Sequence, residues 1–196
     1  MSNILTKKLK VSIWWVKRDF RLNDNEALFR ALESSNIVIP IYLFEPILFN
    51  GPDWGDFHTE VVCSAVQSLS KNLEHFNSRL LIFKSSPIQA IQEINQKICA
   101  GGFEIKEVFS HEETGLSHTF RRDKEFKSWC QINKIEWHEF TNNGVIRGPI
   151  DRNYWEKRFV NYMSQNRLKF PKTKLSNSFP KVSDHFRPSS LILLRA

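Results

Sequence analysis

The run IWWVKRDFRLNDNEAL, Ile13 to Leu28, decides the fold of this chain. Val11 to Val16 is almost wholly β-forming, as expected of a strand covered on both faces of a parallel sheet. It passes without a break into Lys17, Arg18, Asp19 and Arg21. Asn23 can then cap a helix, with Glu26 three residues on returning the hydrogen bond in a capping box. Strand, charged cluster and helix in that order make one βα unit. The cluster sits at the carboxyl end of the strand, where open α/β sheets hold their ligands. The same charges would also suit a loop that is merely solvated.

Working outward, the pattern repeats. A second apolar strand runs from Ile37 to Leu43, where Pro40 lacks a ladder donor and argues for an edge position or a bulge. Val62, Ala65, Leu69, Leu73 and Phe76 make one apolar stripe on a helix from about Asp56 to Phe76. Leu80 to Phe83 is a third strand. Ser86 caps a helix that begins with Pro87 and turns Ile88, Ile91, Ile94 and Ile98 to the core before Gly101 and Gly102 end it. Ile105 to Phe109, Thr119 to Ile132 and Ile135 to Phe140 read as strand, helix and strand. Five βα repeats, the last helix replaced by a looser segment, predict a doubly wound, Rossmann-like α/β fold. Its five-stranded parallel sheet takes the order 3-2-1-4-5.

That order makes the first and fourth strands neighbours and brings a second polar cluster, Ser110-His111-Glu112-Glu113-Thr114-Gly115, beside Lys17 to Arg21. Two clusters far apart in sequence then converge at a topological switch point, the usual seat of flat heteroaromatic ligands. A ligand-free alternative stays open, in which Arg18 or Arg21 pairs with Glu112 or Glu113 to neutralise the sheet end. Zinc-protease chemistry is excluded, because Gly115 stands where H-E-x-x-H needs its second histidine. No G-x-G-x-x-G follows the first strand and no G-x-x-x-x-G-K occurs, so a glycine loop for nucleotide phosphates is lacking. No residues are singled out for catalysis or for metal binding.

Composition bounds the rest. A chain of 196 residues with 41% hydrophobic residues holds one sizeable core. Its apolar runs are too short to span a bilayer and no signal-peptide pattern opens it, so a cytoplasmic protein without membrane contact is expected. Cys63, Cys99 and Cys130 are widely spaced and read as buried thiols in a reducing compartment. The net charge of +7 is uneven: residues 1–140 hold 17 Lys and Arg against 18 Asp and Glu, whereas residues 141–196 hold 11 against 3. This basic stretch, punctuated by Pro149, Pro171, Pro180 and Pro188, reads as a linker that could meet phosphates weakly. From about Phe170 onward it is expected to pack poorly, leaving Leu191 to Leu194 as an apolar cluster. Of the six tryptophans, Trp54 in the Gly51–Gly55 loop is expected to be exposed and the others to pack.

The order W-x-K-R-D-F-R-L-x-D-N-x-A-L closely resembles the opening segment of the DNA photolyase/cryptochrome family. Ser110 to Gly115 followed by Arg122-Asp123 resembles that family as well. So does Asn143-Gly144-Val145-Ile146-Arg147 followed by Arg152-Asn153-Tyr154-Trp155. The resemblance covers about residues 11–165. It implies an amino-terminal antenna-chromophore domain over 1–165 and a linker over 166–196, leading toward a helical FAD-binding domain that belongs to a parent chain or a separate protein. In the family, FAD and the pocket for pyrimidine lesions belong to that helical domain, so this stretch alone is expected to be inactive in repair, and DNA would be met through the full-length parent. The implied cofactor is an antenna pigment. The position of the folate branch's Asn-Glu pair is occupied by His118 and Thr119, which favours a deazaflavin or flavin over a reduced folate. The implied cofactor-binding residues are Lys17, Arg18, Asp19, Arg21, Asp24, Asn25, His111, Glu112, Glu113 and Arg122. Glu112 and Glu113 would accept from ring N–H groups, and the cations would balance a phosphate or a ring carbonyl. The competing expectation is a stand-alone interaction module that kept the fold and lost the pigment.

Overall fold

A computed structural model describes residues 8–145 and 152–171. Ile146, Arg147 and Pro149 of the sequence reading, with Pro180, Pro188 and Leu191 to Leu194, lie outside the described residues. Five strands, β1 (Leu9–Val16), β2 (Val38–Leu43), β3 (Leu81–Phe83), β4 (Phe103–His111) and β5 (Glu136–Phe140), form one sheet in the order β3-β2-β1-β4-β5. Every pairing is parallel. The expected α/β architecture and strand order are therefore both present.

Alternation along β1 divides the core between the two faces of the sheet. Val11, Ile13 and Trp15 pack with Ile91, Ile94 and Ile98 of α4 (Pro87–Cys99) and with Phe126 and Cys130 of α5 (Ser117–Ile132). Trp14 and Val16 face the other way, onto Leu28 and Leu32 of α1 (Glu26–Ser34) and Val66, Leu69 and Leu73 of α3 (Asp56–Glu74). Each fully buried side chain of this kind contributes about 1.5–3 kcal/mol. Burial on both faces explains why β1 reads as a continuous apolar run.

Several local expectations change. The helix cap is Asn25, not Asn23: its Oδ1 accepts from the Leu28 amide at 2.9 Å, and Asn23 is exposed. Pro40 lies in β2, which is interior to the sheet, opposite Trp14. It is tolerated because β2 pairs with β3 only from Ile41 onward, and the alternating amides of β2 that reach β1 belong to the odd-numbered residues. Cys99 is exposed at the end of α4, whereas Cys130 is buried and Cys63 half-buried. Trp54 is half-buried rather than exposed, its ring 4.4 Å from Phe49 and its N–H donating to Thr59 Oγ1 at 2.9 Å.

Beyond the sheet, a 3-10 turn at Arg152–Tyr154 leads into α6 (Trp155–Met163). The Tyr162 hydroxyl donates to the Thr141 carbonyl at 2.9 Å. Leu168 and Asp24 exchange two hydrogen bonds, from the Asp24 amide to the Leu168 carbonyl and from the Leu168 amide to Asp24 Oδ1. Phe170, where loose packing was expected to begin, sets its ring edge-on against Phe76. Trp155, expected to pack, is largely exposed.

Gly144 packs against α6. Its φ is +72°, and the Phe159 ring lies 3.0 Å from where a Cβ would stand. Gly144→Ala should lower stability by about 1–3 kcal/mol, since it meets both a left-handed backbone and an aromatic ring. Denaturant unfolding followed by tryptophan fluorescence checks this, and an unchanged midpoint would contradict it.

Candidate functional site

The carboxyl ends of β1 and β2 open into a cleft of about 400 Å3. Trp15, Val16, Lys17 and Arg18 supply one side, and Tyr42, Leu43 and Glu45 another. The short helix α2 (Pro46–Phe49) and the turn after it bring Leu48 and Trp54 over the opening. The first turns of α3 add Phe57, His58, Val61, Val62 and Ala65, and the segment between β4 and α5 adds Glu113 and Leu116. The walls are thus mainly aromatic and aliphatic, with a few polar groups at one end, the composition of a small-molecule site.

Those polar groups form a buried ion network. Arg122 is its hub. Its guanidinium binds Glu45 Oε1, Glu113 Oε2 at 2.7 Å and Asp123 Oδ1 at 2.8 Å. Arg18, half-exposed, takes the other oxygen of Glu113 at 2.8 Å. Lys17 Nζ is buried 3.4 Å from Asp123 and 3.8 Å from Glu139, over the faces of Trp15 and Trp137. Hence Lys17, Arg18 and Arg122 face Glu45, Glu113, Asp123 and Glu139, three cations against four carboxylates.

The imbalance appears in the proton affinities. Burial raises the Glu45 carboxyl to about 7; Arg122 opposes the rise and Glu113 adds to it. Glu113 also suffers burial, but Arg122, Arg18 and Lys17 outweigh it and hold its carboxyl below the usual range. Burial lowers Lys17 despite Asp123. Arg122 stays charged, because Glu45, Asp123 and Glu113 more than offset its desolvation. A neutral Glu45 would leave three carboxylates against three cations.

A second buried motif shapes the loop after β1. Asp19, fully buried, accepts from the Lys17 amide at 3.0 Å and from Asn25 Nδ2 at 2.9 Å, and it pairs with His111 Nδ1 at 2.8 Å. Burial disfavours its charge, yet the hydrogen bond from His111 leads a set that holds its carboxyl below the usual range. The cap of α1, the end of β1 and the end of β4 are thereby locked together.

The two polar clusters of the sequence reading do converge, through Arg18 and Glu113. The pairing weighed there as a ligand-free alternative is itself one wall of the cleft. Of the ten residues singled out, Lys17, Arg18 and Glu113 line the cleft and Arg122 lies directly behind it. Asp19, Asn25 and His111 form the lock. Arg21 binds Asn142 at 2.8 Å, Asp24 holds Leu168, and Glu112 uses its amide to bind the Phe140 carbonyl at 2.8 Å; none of these three lines the cleft. Both oxygens of Glu113 already accept from arginines. The residues missed are Tyr42 and Glu45, with the aromatic wall from Trp54 to Val62. Y-L-F-E stands at the carboxyl end of the second strand, so the rule that singled out Lys17 to Arg21 applied equally to Glu45.

Residues 12–153 match the family model described as DNA photolyase. Among curated proteins, the chain is 31% identical over 119 residues to the Arabidopsis thaliana "Cryptochrome DASH, chloroplastic/mitochondrial", covering 58% of this chain and 20% of that one. It is 29% identical over 104 residues to the Synechocystis cryptochrome DASH, covering 50% and 20%. A solved Synechocystis cryptochrome superposes with a TM-score of 0.67 at 20% identity over 83% of this chain and 36% of that one. A class III photolyase of Agrobacterium tumefaciens gives 0.66 at 21% over 92% and 38%. A photolyase of Sulfolobus tokodaii, solved with two FAD molecules, gives 0.64 at 18% over 82% and 37%. The chain thus spans about a fifth of the length of these curated relatives.

Proposed function

The chain belongs to the DNA photolyase family, and from that premise we propose that its cleft holds the antenna pigment of a photolyase- or cryptochrome-type flavoprotein. One observation carries the reading: an apolar, aromatic-walled cleft at the carboxyl ends of β1 and β2 ends on buried polar groups, among them a carboxyl oxygen of Glu45 with no hydrogen-bond partner among the described residues. A cleft of this volume suits a heteroaromatic ring system, and its charged end suits the ring's polar edge. When bound, the pigment supplies light absorption and passes excitation onward; the protein's part is to hold the ring and keep water from it. The second FAD of the Sulfolobus tokodaii photolyase, described as a light-harvesting cofactor, favours a flavin or deazaflavin by analogy.

Repair or signalling is assigned to a parent flavoprotein, in which a helical FAD-binding domain is the partner and DNA is met through the full assembly. The exposed Phe57 and Val61, which line the cleft, offer that partner an apolar surface. The free thiols favour a reducing compartment, for which we propose the cytoplasm. Among the described residues no helix is long and apolar enough to cross a membrane.

Fluorescence titration with flavin mononucleotide and with a deazaflavin tests the pigment reading. Binding by the native chain should fall at least about tenfold in Ala65→Trp, which places an indole in the cleft, with the unfolding midpoint little changed. Equal binding by the variant would place the pigment elsewhere, and no binding of either compound by the native chain would refute the reading.

A further inference from the structure

Glu45 is almost wholly buried, yet it uses only half of its hydrogen-bonding capacity. Arg122 donates to Oε1, while Oε2, also shut off from solvent, has no partner among the described residues. A buried carboxyl oxygen without a partner is rare in a folded protein and asks for a group from beyond the described residues. Glu45 lines the cleft, so a ligand seated there is the nearest candidate for that group.

The arrangement also decides which oxygen carries a proton. Oε1 faces an N–H of a guanidinium that stays charged, so a proton on that oxygen would meet another proton head-on. A protonated Glu45 therefore carries its hydrogen on Oε2, and its free side is a donor. An ionised Glu45 would instead offer an acceptor there and would add a fourth negative charge to Glu113, Asp123 and Glu139 against Lys17, Arg18 and Arg122.

We propose that Glu45 meets the bound ring as a neutral carboxylic acid, donating from Oε2 to a ring carbonyl or ring nitrogen, so that the cleft selects acceptor-bearing heterocycles and takes up a proton when it binds them. The inference rests on the pigment-binding reading and goes beyond it in naming the residue, its protonation state and the ring edge it recognises. Burial already brings this carboxyl to about 7 without a ligand, so the neutral form is available near physiological pH and an acceptor would stabilise it further. The charged and titratable groups around Glu45 are Arg122 and Asp123 from α5, Glu113 before α5, Lys17 and Arg18 after β1, Tyr42 on β2 and His58 on α3. Of these only His58 is of a residue type that ordinarily titrates near neutrality.

Flavin mononucleotide is the probe, titrated by fluorescence between about pH 6 and 8.5 and by calorimetry in two buffers of different ionisation enthalpy. The expected result is affinity that falls toward about tenfold per pH unit above 7, with proton uptake on binding. His58→Gln should keep that profile. Glu45→Gln places an amide N–H where Oε2–H stood, so its affinity should no longer change with pH; Glu45→Leu, which has no donor, should bind at least about tenfold more weakly at pH 6. Infrared difference spectra of the ligand-free native chain against Glu45→Gln should show a neutral carboxyl band at pH 6 that fades by pH 8.5. Binding that is flat with pH, or that releases a proton, or a Glu45→Gln profile equal to the native one, would overturn the inference and leave the cleft's pigment role standing. Absence of the carboxyl band would overturn it as well. No binding of flavin mononucleotide at any pH would refute the pigment-binding reading for flavins, and this inference with it.

Discussion

Arg122→Ala should lower the stability of the domain by about 3–5 kcal/mol, because it removes the hub of a buried ion network and leaves its partners in place. Glu45, Glu113 and Asp123 all accept from this guanidinium, whose side chain is nearly as buried as theirs. Without it, Glu113 loses one of the two arginines that grip its carboxylate, keeping the half-exposed Arg18, and Glu45 loses the guanidinium on its Oε1. The defect carries a pH signature. Glu45 and Glu113 would lose the group that favours their ionised forms, so burial would raise both carboxyls above their unfolded values of about 4.3. A folded state that binds more protons than the unfolded state loses stability as pH rises, so the variant should be weakest relative to the native chain near pH 8 and closest to it near pH 5. Urea unfolding at the two pH values measures this. A loss below about 1 kcal/mol at pH 8 would mean that the network contributes little net stability. Adding Glu113→Gln to Arg122→Ala should recover part of the loss, since it withdraws one of the stranded charges.

The fold was legible because its signals are periodic and local. The unbroken apolar run of β1, the isoleucine stripe of α4 and the Ser86-Pro87 start each point to one element, and a parallel βαβ chain admits few orders. Pro40 misled because a missing donor matters only where a strand runs alongside it, and that depends on where β3 begins. Asn23 and Asn25 are equally good caps in sequence. Asp19 decides between them, because its side chain holds Asn25 Nδ2.

The site was legible in half. Charges at the end of β1 and after β4 announce themselves against apolar strands, and they converge as the strand order requires. The aromatic wall does not, because Phe57, Val61 and Val62 look like any apolar stripe, and only the placement of α3 beside the ends of β1 and β2 gives them a cleft to line. Glu45 escaped notice for a related reason. A single carboxylate after an apolar strand looks like a solvated loop charge, and its burial is visible only once Arg122 arrives from α5, 77 residues along the chain.

Asp19→Ala should be the other large loss, about 3 kcal/mol or more at neutral pH, since it strands the Lys17 amide and His111 Nδ1 inside the protein and leaves Asn25 Nδ2 only backbone carbonyls to bind. Asp19→Asn keeps one acceptor oxygen for the Lys17 amide and should lose less. The Asp19→Ala gap too narrows as pH falls, but in a more acid window than for Arg122→Ala, because the carboxyl concerned is depressed and not raised. The folded carboxyl of Asp19 lies below its unfolded value of 3.8, because His111, Lys17 and Asn25 outweigh burial. Its contribution is therefore complete above the unfolded value and is lost as pH falls through the folded one. The stability gap between the native chain and Asp19→Ala should be constant from pH 7 to about 5 and narrow only in more acid solution. A gap that already changes between pH 7 and 6 would contradict a lock held by the hydrogen bonds of the Asp19 carboxylate. The same variant should also weaken ligand binding in the cleft. Lys17 and Arg18 reach it from the very turn that Asp19 holds closed, and a loosened turn no longer fixes the Arg18 guanidinium against Glu113.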